Sequence, residues 1–172
     1  KIKGKDDHAR AQALYRHVLD HMRYSKTGKG WGRGDALYAC DARTGNCTDF
    51  HAYFIALCRA VNIPARFAIG FTIPANKNAG VIGGYHCWAE FHANGKWVPV
   101  DISEADKHPE LADYYLGHHP ANRLELSRGR DITVKPAPKA GPFNYFFGPH
   151  LEVNGKEVPV KATFEFKRLP EK

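Results

Sequence analysis

The sequence predicts an α+β fold with N-terminal helices packed on an antiparallel sheet, and three observations predict it. Two helical stripes of apolar residues fall in the N-terminal part of the chain. Extended, alternating segments follow them. Asn-Gly pairs then join successive extended runs, which folds them back antiparallel. Helices first and hairpins later argue against a doubly wound parallel sheet. With 172 residues the chain fits one domain, expected as a core over residues 1–135 with a C-terminal hairpin extension over 136–172 packed on it.

The first helix is expected from Asp7 to Tyr24, because Ala11, Leu14, Tyr15, Val18, Leu19 and Met22 form one stripe of a 3.6-residue period. Ser25–Gly34, with glycines at 28, 30, 32 and 34 around Trp31, reads as a loop over a cleft. It lacks the Gly-Lys-Ser/Thr ending of a phosphate loop. The second helix has clear edges. Asn46 is a good N-cap, Asp49 stands where a capping box returns the bond, and Pro64 ends the run. Phe50, Tyr53, Phe54, Leu57, Cys58 and Val61 form its stripe, expected to bury on one side, with Cys47 at the first helical position.

Beyond Pro64 the period becomes extended. Ala65–Phe71 is expected as a strand, followed by a loop through Gly84. Tyr85–His92 and Lys96–Ile102 flank Asn94-Gly95 as a hairpin. A short helix over Glu110–Leu116, a strand over Arg130–Val134, a Pro-rich linker at 136–142, a hairpin turning at Asn154-Gly155 and a last strand over Lys161–Phe166 complete the reading.

Composition narrows the classes. Apolar residues at 43% and charged residues at 25% exclude a disordered chain. No apolar run reaches the roughly 18 residues of a membrane-spanning helix. Lys and Arg number 25 against 18 Asp and Glu, a net charge of +7, but the cations are scattered and leave no nucleic-acid footprint. The four cysteines lack C-x2-C pairs, so neither structural zinc nor a disulfide scaffold is expected. No acidic calcium-binding loop is present, and no metal or organic cofactor is expected.

The hairpin brings polar residues together. A two-residue turn at Asn94-Gly95 pairs Ala93 with Lys96, sets Trp88 opposite Asp101 and His86 opposite Ser103. His86 and Asp101 then share a face as diagonal neighbours, with Cβ atoms roughly 7–8 Å apart. An Asp beside a His fixes the ring's tautomer and favours its cation. A thiol at a helix N-terminus has its anion stabilised by the helix dipole and by nearby cations. Cys47, His86 and Asp101 therefore read as nucleophile, proton carrier and orienter.

Asn46-Cys47-Thr48-Asp49-Phe50, Ile63-Pro64-Ala65-Arg66-Phe67 with Gly70-Phe71, His86-Cys87-Trp88-Ala89-Glu90 and Trp97-Val98-Pro99-Val100-Asp101 together resemble the core of the transglutaminase-like superfamily, in its order. The match is close over about residues 45–103, and Tyr24, the Gly30–Asp35 loop and Asn122–Asp131 resemble bacterial members. The resemblance implies a papain-like fold and acyl transfer through a thioester, with Cys47 as nucleophile, His86 as general base and acid and Asp101 as orienter. The fold does not choose the acyl acceptor; the resemblance to bacterial members puts peptide or amide hydrolysis first and amine transfer next, with a catalytically silent peptide- or cell-wall-binding module as the alternative of another class.

The Cys47 backbone N–H is the first oxyanion donor to consider, with the Trp31 indole or the Tyr38 hydroxyl as the second. Trp88 and Tyr85 are candidates for the substrate cleft. Cys58 and Cys87 read as core, Arg66 as half of a structural ion pair, and the remaining histidines as surface or loop residues. Phe143, Tyr145, Phe146 and Phe147 read as packing rather than a groove. The expected partner is a peptide, protein or cell-wall amide, with no nucleic acid and no set oligomeric state. A start without Met, the basic charge and the bacterial resemblance favour an exported or periplasmic location over a cytoplasmic one.

Overall fold

A computed structural model describes residues 4–169. In chain order the elements are α1 (Asp7–His21), β1 (Arg23–Tyr24), α2 (Ala36–Ala42), β2 (Thr44–Gly45), α3 (Cys47–Ala60), β3 (Ala65–Thr72), β4 (Ala79–Val81), β5 (Tyr85–Ala93) and β6 (Lys96–Val100). There follow α4 (Ile102–Lys107), a 3₁₀ turn (Pro109–Leu111), β7 (Arg123–Arg128), β8 (Glu152–Val153), β9 (Lys156–Glu157) and β10 (Glu165–Lys167). The fold is α+β, and its largest sheet runs in the order β6-β5-β3-β7. The chain forms two compact units, one ending at Ala68 and resuming over Cys87–Pro120, the other holding Ile69–His86 and the chain from Ala121 onward. Strands β3 and β5 pass through both.

In the first unit α1 buries the expected stripe of Ala11, Leu14, Tyr15 and Val18. The helix stops at His21, short of the expected Tyr24. Met22 turns extended, and Arg23–Tyr24 pair in parallel with Thr44–Gly45 instead. Helix α3 departs from expectation more sharply. Every residue from Cys47 to Ile55 is buried, because α1, α2 and α4 pack on the helix while Thr48 and Phe54 meet Cys87 and Phe91 of β5. A helix apolar around most of its girth belongs in an interior.

The β5–β6 hairpin has the expected register, from Ala93↔Lys96 to Ala89↔Val100. Asn94 and Gly95 have φ of 52° and 77°, the left-handed pair that a tight hairpin turn demands. The expected strand to Ile102 is cut short. Its ladder ends at Val100 because Asp101 becomes the N-cap of α4, its carboxylate accepting from the Glu104 amide at 3.1 Å. Trp88–Asp101 and His86–Ser103 are therefore not rungs of the ladder. The helix expected over Glu110–Leu116 reduces to the turn at Pro109–Leu111.

In the second unit β7 occupies Arg123–Arg128, upstream of the expected Arg130–Val134, where Ile132 makes only an isolated bridge to Phe143. The last strand is Glu165–Lys167 rather than Lys161–Phe166, and it pairs with β4, in a segment expected as loop. The hairpin at Asn154-Gly155 is present. Phe143, Phe147, His150 and Phe164 are among the residues lining a hollow of about 330 Å³. Strand β7 is seated on Gly70. A Cβ there would lie 1.8 Å from the Leu124 carbonyl oxygen, which is backbone and cannot swing aside. Gly70→Ala should therefore destabilise the protein by about 1–3 kcal/mol, read as a lower urea midpoint at unchanged slope.

Candidate active site

The start of α3 is fixed by reciprocal hydrogen bonds. Asn46 caps it, its side chain accepting from the Thr48 amide at 2.9 Å, while Asp49 accepts from the Asn46 amide at 3.0 Å. The same Asp49 carboxylate accepts from Gly32 at 2.7 Å and from Gly34 at 3.1 Å, so the glycine-rich loop is pinned to the helix start. Gly45 makes this possible, since a Cβ there would stand 2.5 Å from the Asp49 side chain. Burial pushes the Asp49 carboxyl up from its ordinary range, against the opposite pull of its three amide donors. Cys47 follows at the first helical position with 3% of its surface exposed.

Asp101 is held through its backbone and its side chain. Its backbone amide donates to the Tyr115 carbonyl at 3.1 Å, and its Oδ1 accepts from Ser103 Oγ and from the Glu104 amide, each at 3.1 Å. Between α3 and this corner lies His51, fully buried. Its Nε2 accepts from the Ile102 amide at 3.1 Å, and its Nδ1 is 3.9 Å from Cys87 Sγ. Cys87 Sγ also lies 3.7 Å from Thr48 Oγ1. Sequence reading passed over His51 as one of the surface or loop histidines. Its position four residues after Cys47, inside a capped apolar helix, was the available signal that it is buried.

His86 is the second residue of β5 and is buried with 8% exposure. Trp88, two residues on, is also buried, and its ring meets the His119 ring edge-on at 5.1 Å. Tyr85, proposed from sequence for the cleft, packs within the second unit against the Phe147 ring at 4.9 Å and the Tyr145 ring at 5.6 Å. Trp31 and Tyr38 are half-buried, one in the pinned loop and the other on α2. Arg66 forms the expected ion pair, with Glu90 at 2.5 Å, and its guanidinium lies 3.8 Å from the centre of the Trp97 ring.

Two groups near Cys47 in the first unit are held toward their neutral forms. Burial, and then the neighbouring Cys47 sulfur, hold the Cys87 thiol well above its ordinary value. Burial first and the charge of Cys47 second raise the Tyr24 phenol, which keeps its proton. Tyr24 pairs with Gly45 on β2, and β2 leads directly into the cap of α3. Cys58, in the interior, is pushed up by burial to about 12. All four cysteines are free thiols. Among the described residues no group of three His, Cys, Asp or Glu side chains is placed to hold a metal ion, and no helix is long and apolar enough to cross a membrane.

The profile of the transglutaminase-like superfamily matches residues 1–102. An uncharacterized protein of Haemophilus influenzae is 30% identical over 97% of this chain, which spans 55% of that protein's length. The solved structure of a candidate cysteine protease from Cytophaga hutchinsonii superposes with a TM-score of 0.52 at 23% identity, over 70% of this chain and 35% of that one, a likeness of fold. A structure described as a TGase gives a TM-score of 0.47 at 16% identity, over 72% of this chain and 30% of that one.

Burial fixes an order of thiol reactivity. Iodoacetamide at pH 8 should leave Cys58 and Cys87 of the folded protein unmodified, because the thiolate is the nucleophile and both groups stay protonated there. Mass mapping should find both sites labelled only after unfolding in urea; modification of either in the native protein contradicts the assignment.

Proposed function

Because the chain belongs to the transglutaminase-like superfamily, we propose that it is a thiol acyl-transfer enzyme that opens amide bonds through a thioester and completes its turnover by hydrolysis. Its substrates are then peptides, proteins or cell-wall amides. The observation that carries the reading is the doubly capped start of α3 with Cys47 at its first position. A helix start favours an anion by about 0.3–1 kcal/mol at exposed sites and more where water is excluded. It also turns its first amides toward charge that develops beside it.

In the proposed reaction the Cys47 thiolate attacks the amide carbonyl carbon, and the carbonyl oxygen takes the negative charge. The Cys47 backbone N–H is the assigned donor to that oxygen. The intermediate collapses by breaking the C–N bond, and imidazolium His86 gives its proton to the departing amine. The thioester is then attacked by water, whose proton returns to His86, and Cys47 leaves as thiolate. Asp101 orients the His86 ring throughout and stabilises its cation. The fixed geometry of Asp101, held from its backbone and from one carboxylate oxygen, supports that role.

Supplied with a mixed peptide library at neutral pH, the protein should release new amino termini and, with hydroxylamine present, trap acyl groups as hydroxamates. Cys47→Ala should lower both by at least about 10³-fold. Iodoacetamide at neutral pH should label Cys47 selectively, and His86→Ala should abolish that selectivity. Incorporation of a labelled amine into protein without new termini would make an amine, not water, the acceptor. Cys47→Ala with turnover close to the parent would remove the reading.

Asp101 has two separable duties. Asn is as good an N-cap as Asp, so Asp101→Asn should keep the melting temperature within a few degrees, whereas it should lower turnover by about 10²-fold or more because the imidazolium loses its counter-charge. Equal turnover in this variant and the parent would leave Asp101 a cap only.

A further inference from the structure

The proposed reaction gives His51 no part, yet its surroundings are specific. It lies one helical turn after Cys47 on the same face of α3 and is fully buried. Its two ring nitrogens face the chain positions that immediately follow the other two proposed participants. Nε2 meets the amide of Ile102, next to Asp101, at 3.1 Å, and Nδ1 meets Sγ of Cys87, next to His86, at 3.9 Å.

A backbone N–H has only a hydrogen to offer, so Nε2 must present its lone pair to Ile102. The neutral ring's proton is then on Nδ1, directed at Cys87. The Asp101 Oδ1 atom is 3.8 Å from Nε2. Two acceptors at that distance make no hydrogen bond, and His51 is not a second cation for the acid. An apolar side chain of similar volume would fill the space. It would leave the Ile102 amide buried without this acceptor, and the turn that aims Asp101 would have to move to find another.

We propose that His51 is a positioning residue for the acyl transfer: as a neutral imidazole it clamps the Asp101–Ile102 turn and Cys87 to the first turn of α3, holding the acid in a fixed place relative to Cys47. This rests on the acyl-transfer reading. The titratable groups that face it are Cys87 on β5 and Asp101 just past β6, with Cys47 one turn earlier on its own helix.

The test is the rate of Cys47 alkylation by iodoacetamide from pH 5 to 10 on the full chain, a readout that needs no substrate. In His51→Leu the rate at pH 6 should fall about tenfold while the rate at pH 10 stays within about twofold, because a displaced acid weakens the imidazolium that stabilises the thiolate. His51→Gln should keep the parental profile, since its Oε1 reaches the place of Nε2 and can accept from Ile102. His51→Asn, whose amide is shorter, should follow His51→Leu. On a substrate, kcat should fall roughly ten- to a hundredfold at little-changed KM.

A purely structural role would lower thermal stability without moving the alkylation profile. If His51→Leu does not fold, the contrast between His51→Gln and His51→Asn decides the question. Fast alkylation of parental Cys47 that both His51→Leu and His51→Asn leave unmoved overturns the positioning role alone. Parental Cys47 that reacts no faster than an ordinary thiol at any pH overturns the acyl-transfer reading and the positioning role with it.

Discussion

The structure of the first unit depends on where α3 begins. A thiol gains from a helix dipole only within the first turn, so a helix that frayed or started one residue later would move Cys47 out of the region where the effect acts. Asn46 and Asp49 close the start reciprocally, and Asp49 spends its remaining acceptor capacity on Gly32 and Gly34. One carboxylate thereby fixes the helix start and the loop beside it. The constraint extends to Gly45, where no side chain fits, and through Gly45 to Tyr24, its partner in the short parallel bridge.

Such a start is local chemistry, which is why it is legible in the sequence. The Asn46–Asp49 spacing, the Pro64 stop and the Asn94-Gly95 turn each act within a few residues, and each set the structure the chain adopts. The hairpin register followed from the turn, but the end of its ladder did not. Asp101 can extend a strand or cap a helix, and the Ser103 and Glu104 groups that decide for capping lie downstream of it. The two-residue bridge β1–β2 and the pairing of β4 with β10 were invisible for a related reason. They join segments far apart in sequence, without enough alternation in either to announce a strand. Helix α2 is short, and its Leu37 is 78% exposed, so no apolar stripe marks it.

The candidate site divides along the same line. Residue identity and chain order marked Cys47, His86 and Asp101, whereas the groups that surround Cys47 and Asp101 in the first unit were missed. His51 reads from sequence as one histidine among ten. Only the packing of α3 on all sides, which buries it, forces both its nitrogens to find partners inside the protein. Cys87 was placed in the core correctly, but its position against Thr48 and His51 depends on how β5 lies over α3. Tyr85 shows the reverse: an aromatic residue beside a chemically interesting histidine is accounted for by rings of its own unit.

These neighbours share one electrostatic property. Cys87 and Tyr24 are both shifted toward their protonated forms by burial and by the sulfur at the helix start, and His51 accepts from a backbone amide in a form that excludes a proton on that nitrogen. In the proposed reaction a buried cation placed there would compete with His86 for Asp101, and an anion beyond the buried Asp49 and Asp101 carboxylates would raise the cost of a thiolate at Cys47. Neutral groups at these three positions add neither. The helix start remains a fixed source of positive potential beside Cys47, and in the proposed reaction the imidazole of His86 adds to it. In the proposed reaction the placement of Asp101, through its cap, its backbone and the Ile102 amide, therefore bears on the chemistry of a sulfur it does not need to touch.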